Sequence, residues 1–122
     1  MDFEAIIISD QSQGYAVDLA KEHSTFIKNY IKEINIKNTN KKLCFFSGGE
    51  ASVKLKNPKG KGGRNTEYLL SLAIQFELLQ INSFVALSAD TDGIDGTEEN
   101  AGAIIDENTL FKIRSKNLIP EK

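Results

Sequence analysis

Apolar and polar positions fall in blocks along the chain, and each block implies an element. Glu4 to Ser9 holds Ala5, Ile6, Ile7 and Ile8 in succession, a branched run too short for a helix. The polar Ser9-Asp10-Gln11-Ser12 predicts a turn at its end. From Gly14 to Ile34 the residues Leu19, His23, Phe26, Ile27, Tyr30, Ile31 and Ile34 recur at three- and four-residue spacings with charged residues between them. That spacing predicts an amphipathic helix. Asn35 to Lys42 is polar and basic and reads as a surface connection. A second apolar run, Leu43 to Phe46, stops at Ser47-Gly48-Gly49-Glu50, after which Ala51, Val53 and Leu55 alternate with Ser52, Lys54 and Lys56. Two strands around a glycine turn are predicted there.

Asn57 to Gly63 contains a proline and three glycines, which exclude a regular element. A helix is predicted from Asn65 or Thr66, whose side chains can cap free N–H groups, with Glu67 at the positive end of its dipole. Its body, Tyr68 to Gln80, carries Leu69, Leu70, Leu72, Ala73, Ile74, Phe76, Leu78 and Leu79 around nearly the whole circumference, so it should be buried on several sides. Ser83 to Ala89 is a third apolar strand running into Asp90-Thr91-Asp92-Gly93-Ile94-Asp95-Gly96. A short strand at Ala101 to Ile105 and a helix from Thr109 to Lys116, capped by Asn108, complete the pattern before Pro120. The fold class expected is α/β: a three-layer sandwich with a mostly parallel or mixed sheet, incomplete at its C-terminal end, with residues 1–122 in a single domain. Ligands in such folds gather at the carboxyl ends of the strands, where the Gly- and Asp-rich segments fall.

Composition narrows the function classes. The 122 residues are 40% hydrophobic and 26% charged with a net charge of −2, so the chain should bury a core. The balance lacks the basic excess that nucleic-acid binding calls for. No apolar run approaches the roughly 20 residues of a membrane span, and no signal peptide is present, which reads as a cytoplasmic chain without membrane contact. One cysteine, Cys44, lies in an apolar run and reads as core. One histidine, His23, lies on the apolar stripe of the first helix and reads as packed or half-exposed. Together they exclude a conventional zinc site.

Two segments carry candidate chemistry. Lys59-Gly60-Lys61-Gly62-Gly63-Arg64-Asn65 sets glycines and three cations directly before a helix N-terminus. Backbone N–H groups, the helix dipole and an arginine fork can bind an oxyanion there, although a flexible basic turn has the same composition. Neither a Walker A pattern nor Gly-x-Gly-x-x-Gly is present. Asp90-Thr91-Asp92-Gly93 follows an apolar strand and lacks the further ligands of a calcium loop. It fits a structural Asx turn, and it also resembles the nucleophile motif of haloacid dehalogenase-type phosphatases, with Ile94 where those have Thr or Val.

Taken in order, Ser47-Gly48-Gly49-Glu50, Gly60-Lys61-Gly62-Gly63-Arg64-Asn65 and Asp90-Thr91-Asp92-Gly93-Ile94-Asp95-Gly96 resemble the MOFRL domain of glycerate 2-kinases, often labelled hydroxypyruvate reductases. The likeness continues through Ala101-Gly102-Ala103-Ile104-Ile105-Asp106, and Ile8-Ser9-Asp10 is similar to the segment just upstream. It covers nearly the whole chain.

The resemblance implies one domain of a two-domain transferase that uses ATP and Mg2+ to phosphorylate the 2-hydroxyl of D-glycerate. It implies catalytic roles for Arg64, Asp90 and Asp92. Arg64 would meet the glycerate carboxylate or the transferring phosphate. Gly62, Gly63 and the Asn65 backbone would hold the same oxyanion, Lys61 would add field, and Glu50 would bind a substrate hydroxyl or cap a backbone N–H. Asp90 and Asp92 would bind magnesium or hold their loop in shape. The large kinase domain is missing or separately encoded, so the chain is expected to be an inactive fragment, either deliberately shortened or from a split gene. An exposed sheet edge would favour a homodimer. A noncatalytic α/β anion-binding module and a phosphatase are the alternatives.

Overall fold

In the computed structural model, residues 3–36, 42–52, 64–89 and 102–116 are described. Strand β1 (Phe3–Tyr15) leads into helix α1 (Ala16–Ile36), followed by β2 (Lys42–Ser52), α2 (Arg64–Leu78), β3 (Val85–Ala89), β4 (Gly102–Asp106) and α3 (Thr109–Ser115). β1 and β2 pair in parallel, and β3 and β4 pair antiparallel. The α/β architecture with strand pairs of both kinds agrees with the expected fold class.

The polar Ser9–Ser12 segment does not end β1. The strand continues to Tyr15, and its ladder with β2 shifts register between Ile7 and Ser9 and again between Ser9 and Ser12. Polar residues here tolerate bulges, which take up extra residues without ending the pairing. The glycine turn predicted at Ser47–Glu50 is likewise absent. β2 runs straight through Gly48 and Gly49, with Gly49 at φ 138° opposite Ser12. That backbone conformation suits glycine alone, so Gly49 lets the strand follow the bulged β1. The strand predicted beyond Ser52 lies outside the described residues.

α1 buries Ala16, Leu19, Ala20, His23, Ser24 and Ile27, one stripe at helical spacing. Its small members let α2 come close, and Ser24 satisfies its buried hydroxyl on the Lys21 carbonyl at 2.9 Å. Leu72 and Phe76 of α2 meet Ala20, Ile27 and Ile81, with Ile8, Phe45, Phe84 and Ala86 packed around them. One core therefore joins both helices to both strand pairs. Edge-to-face rings reinforce it, Tyr30 on Phe45 at 5.6 Å and Phe76 on Phe84 at 4.7 Å. Packed against α1, β2, β3, β4 and α3, α2 is the central element.

α2 starts at Arg64, one residue earlier than the cap reading of Asn65 allowed, and ends at Leu78 rather than Gln80. Its end is a Schellman motif. Ile81 N–H donates to the Phe76 carbonyl at 2.8 Å, Gln80 N–H donates to Glu77 at 3.2 Å, and Gln80 takes φ 58°. Ile81 folds back onto the core beside Phe76. Asn108 occupies the N-cap of α3 without a side-chain hydrogen bond. Asp106 fixes the turn that leads into α3, its Oδ1 accepting from Asn108 N–H at 2.9 Å and its own N–H donating to Thr109 Oγ1 at 2.9 Å.

The strand faces turned away from the core leave Phe3, Ile7, Phe46, Val85, Leu87 and Ile104 exposed. Cys44, expected in the core, is half-buried. No described helix is long and apolar enough to cross a membrane.

Candidate functional site

The described geometry converges on the first two turns of α2. Arg64 opens the helix and Asn65 follows, buried to 7% exposure. Ser88 Oγ of β3 donates a hydrogen bond to Asn65 Oδ1 at 2.6 Å. A side chain that sequence suggested as a cap instead pins the helix start to the end of β3, two residues before Asp90. Gly102 faces Ala89 in the ladder, and a Cβ there would overlap the Ser88 carbonyl oxygen and stand 2.6 Å from Ala89 Cα. Only glycine lets β4 close against β3 at this point. Both anchors of the connection that carries Asp90 and Asp92 therefore lie beside the α2 N-terminus.

One turn further along α2, Tyr68 reaches His23 of α1, with Oη 2.7 Å from Nδ1. His23 Nε2 lies 3.4 Å from Ser47 Oγ, the first residue of the Ser-Gly-Gly-Glu motif. His23 is buried, at the packed end of the two states its sequence position allowed. Burial lowers its pKa, against the smaller opposing pull of the Glu22 carboxylate. Burial also pushes the Tyr68 phenol up to about 12. Both groups are neutral near pH 7.

β2 at Ser47, through His23, and β3 at Ser88 are thus both linked to the first two turns of α2, whose N-terminal N–H groups and dipole favour an anion. Glu50 sits on β2 opposite Gln13 rather than in a turn. Lys61, Gly62, Gly63, Asp90 and Asp92 lie outside the described residues, as does the Arg64 side chain. Among the described residues no group of three His, Cys, Asp or Glu could hold a metal. Sequence reasoning missed Ser47, Tyr68 and Ser88 as site residues. For Ser47 and Ser88 the one available signal was a hydroxyl near the carboxyl end of an apolar strand, next to or one residue ahead of the Gly- or Asp-rich segment; Tyr68 gave none.

The MOFRL family model matches residues 43–122, which take in all three motifs. The chain belongs to the MOFRL family. It is 40% identical over 98 residues to the D-glycerate 2-kinase of Thermotoga maritima, covering 79% of this chain and 23% of that protein. It is 33% identical over 105 residues to the glycerate 2-kinase of Sulfurisphaera tokodaii, covering 86% of this chain and 26% of that protein. The crystal structure of glycerate kinase from Thermotoga maritima superposes at a TM-score of 0.75 with 34% identity, over 98% of this chain and 28% of that one. This MOFRL chain therefore spans about a quarter of the length of these relatives.

Proposed function

We propose that the chain is the MOFRL part of an ATP-dependent glycerate 2-kinase, a single domain over residues 1–122 that is inactive without the remaining three quarters of the enzyme. The observation that supports this reading is the Ser88–Asn65 hydrogen bond, because it ties the first turn of α2, which follows the basic glycine segment in the chain, to the end of β3, two residues before the acidic segment. Phosphoryl transfer depends on charge neutralisation and alignment, and those are what such a place can supply. Arg64 forks onto the glycerate carboxylate or the transferring phosphate, and Gly62, Gly63 and Asn65 offer backbone N–H groups to the same oxyanion. Lys61 adds positive field, and Glu50 takes a substrate hydroxyl. Asp90 and Asp92 hold Mg2+, which when bound neutralises phosphate charge. The other domain supplies the rest of the ATP site, so the isolated chain lacks half of the alignment. The site is cytoplasmic in this reading, and an exposed sheet edge pairs two copies of the isolated chain, which light scattering would detect as a dimer.

Activity assays test the reading. The chain alone should not phosphorylate D-glycerate with ATP, whereas mixing it with a glycerate 2-kinase polypeptide lacking the corresponding region should restore turnover that Arg64→Ala removes. Phosphorylation by the chain alone would overturn the claim that the other domain is required. The family match spans Asp90 to Gly93, so that motif is accounted for without the phosphatase reading. Magnesium-dependent hydrolysis of p-nitrophenyl phosphate by the chain, lost in Asp90→Asn, would revive it.

A further inference from the structure

We propose that the strand face turned away from α1 and α2 is a docking surface for an apolar helix face contributed by the rest of a glycerate 2-kinase polypeptide. The proposal rests on the kinase reading above. Along the strands, alternate side chains enter the core and leave it. Ile8, Phe45, Ala86 and Ile105 pack into the clusters built on α1 and α2, whereas their neighbours Ile7, Phe46, Leu87 and Ile104 are 71%, 52%, 68% and 68% exposed. Register sets the outward residues side by side. Ile7 lies opposite Phe46 and Leu87 opposite Ile104, so each strand pair presents a cross-strand apolar couple.

Strands with apolar residues on both faces are the pattern of a sheet covered on both sides. Among the described residues α1, α2 and α3 all pack on the inner face, α3 through Leu110 against the cluster that holds Ile105. Exposed apolar residues scattered singly are ordinary, but a contiguous patch marks an interface. The chemistry of the occupant follows from the charges on the face. Charged residues stand only at one end of each strand pair, Lys42 opposite Phe3 and Asp106 opposite Val85. Both are engaged within the chain, Lys42 Nζ over the Phe3 ring at 5.9 Å and Asp106 in the turn before α3. An apolar helix stripe fits the uncharged remainder, and a nucleic acid or a charged peptide does not. β1 and β2 pair in parallel, and parallel strands are covered by helices, which favours a helix over a second copy of the same face. The superposition on Thermotoga maritima glycerate kinase spans 98% of this chain and 28% of that one, which leaves most of that polypeptide outside the match to supply the layer.

Leu87→Lys tests the surface in two settings, the isolated chain and a chimera in which this chain replaces the matching region of the Thermotoga maritima enzyme. In the isolated chain Leu87 already meets water, so the variant should keep the parent's circular dichroism and melt within about 2 °C of it. In the chimera the lysine is forced beneath a helix, and the melt should fall by about 5–10 °C. Ile104→Lys should behave in the same way, and Leu87→Ala should give a smaller fall in the chimera alone. Shifts within about 2 °C in both settings would overturn the proposal and leave the kinase reading standing. A large fall already in the isolated chain would overturn it by showing that the chain's own residues cover the face. A dimer of the isolated chain that Leu87→Lys dissociates, followed by light scattering, would overturn it by placing a second copy there. A chimera that does not fold with the parent sequence would also count against the surface. A chimera that shows the lysine effect yet does not phosphorylate D-glycerate would uphold the surface and count against the kinase reading.

Discussion

Leu72 and Leu78 lie on the same helix with the same side chain and opposite surroundings. Leu72 is 4% exposed and packs with Ala20, Ile27, Phe76 and Ile81, whereas Leu78 is 69% exposed. Leu72→Ala removes about three methylene-sized groups from the core, a transfer loss of roughly 2.4 kcal/mol at about 0.8 kcal/mol each. The cavity left where two helices and both strand pairs meet raises the expected loss to about 3–4 kcal/mol. Leu78→Ala removes atoms already in water and should cost under about 0.5 kcal/mol. In a thermal melt followed by far-UV circular dichroism, the first variant should melt roughly 15 °C or more below the parent and the second within a few degrees of it. Leu72→Asp should not fold at all, because it forces an unpaired carboxylate into the same place. A Leu72→Ala loss below about 1 kcal/mol, or a larger loss at Leu78, would refute the packing of α2 at the centre of the fold.

Gly102→Ala should destabilise the protein by at least about 2 kcal/mol in urea unfolding, since the new methyl meets the Ser88 backbone rather than a movable side chain, and a parent-like midpoint would contradict the close β3–β4 approach. Gln80→Gly should raise stability by about 1 kcal/mol by relieving the left-handed residue that ends α2, and a loss of stability in the same unfolding assay would argue against the Schellman cap. Stability should also fall in acid through His23. Its folded pKa is lowered from 6.5, so the unfolded chain binds the proton first, and the contribution is full above pH 6.5 and lost as pH falls below it toward the folded value. His23→Gln should flatten that part of a pH series of melts, and an unchanged slope would count against a buried neutral imidazole.

The elements were legible where the hydrophobic period was long and uninterrupted. α1 and α2 repeat apolar residues at helical spacing over several turns, and their ends fall within two residues of those expected. The misread places share a cause. At Ser9–Ser12 and Ser47–Glu50 the local residues favour turns, but two parallel strands pairing along their length outweigh that preference, with bulges and Gly49 absorbing the mismatch. Parallel pairing is a long-range property that no short window contains. Site residues followed the same division. Arg64 and Asn65 stood out because a glycine-rich basic stretch precedes a helix. Ser88 and the His23–Tyr68–Ser47 contacts join residues 23, 45 and 24 positions apart, a proximity only the fold creates.

In the proposed function the α2 N-terminus is an oxyanion site whose principal charge is Arg64. Titration of backbone amides with inorganic phosphate tests it most directly, in the parent chain and in Arg64→Ala. Salt-sensitive shifts are expected at Gly62, Gly63 and Asn65 and should disappear in Arg64→Ala, because the lysines that remain are flexible point charges without the planar fork. Shifts confined to the Asp90 segment, or shifts at Gly62 to Asn65 that persist in Arg64→Ala, would contradict it.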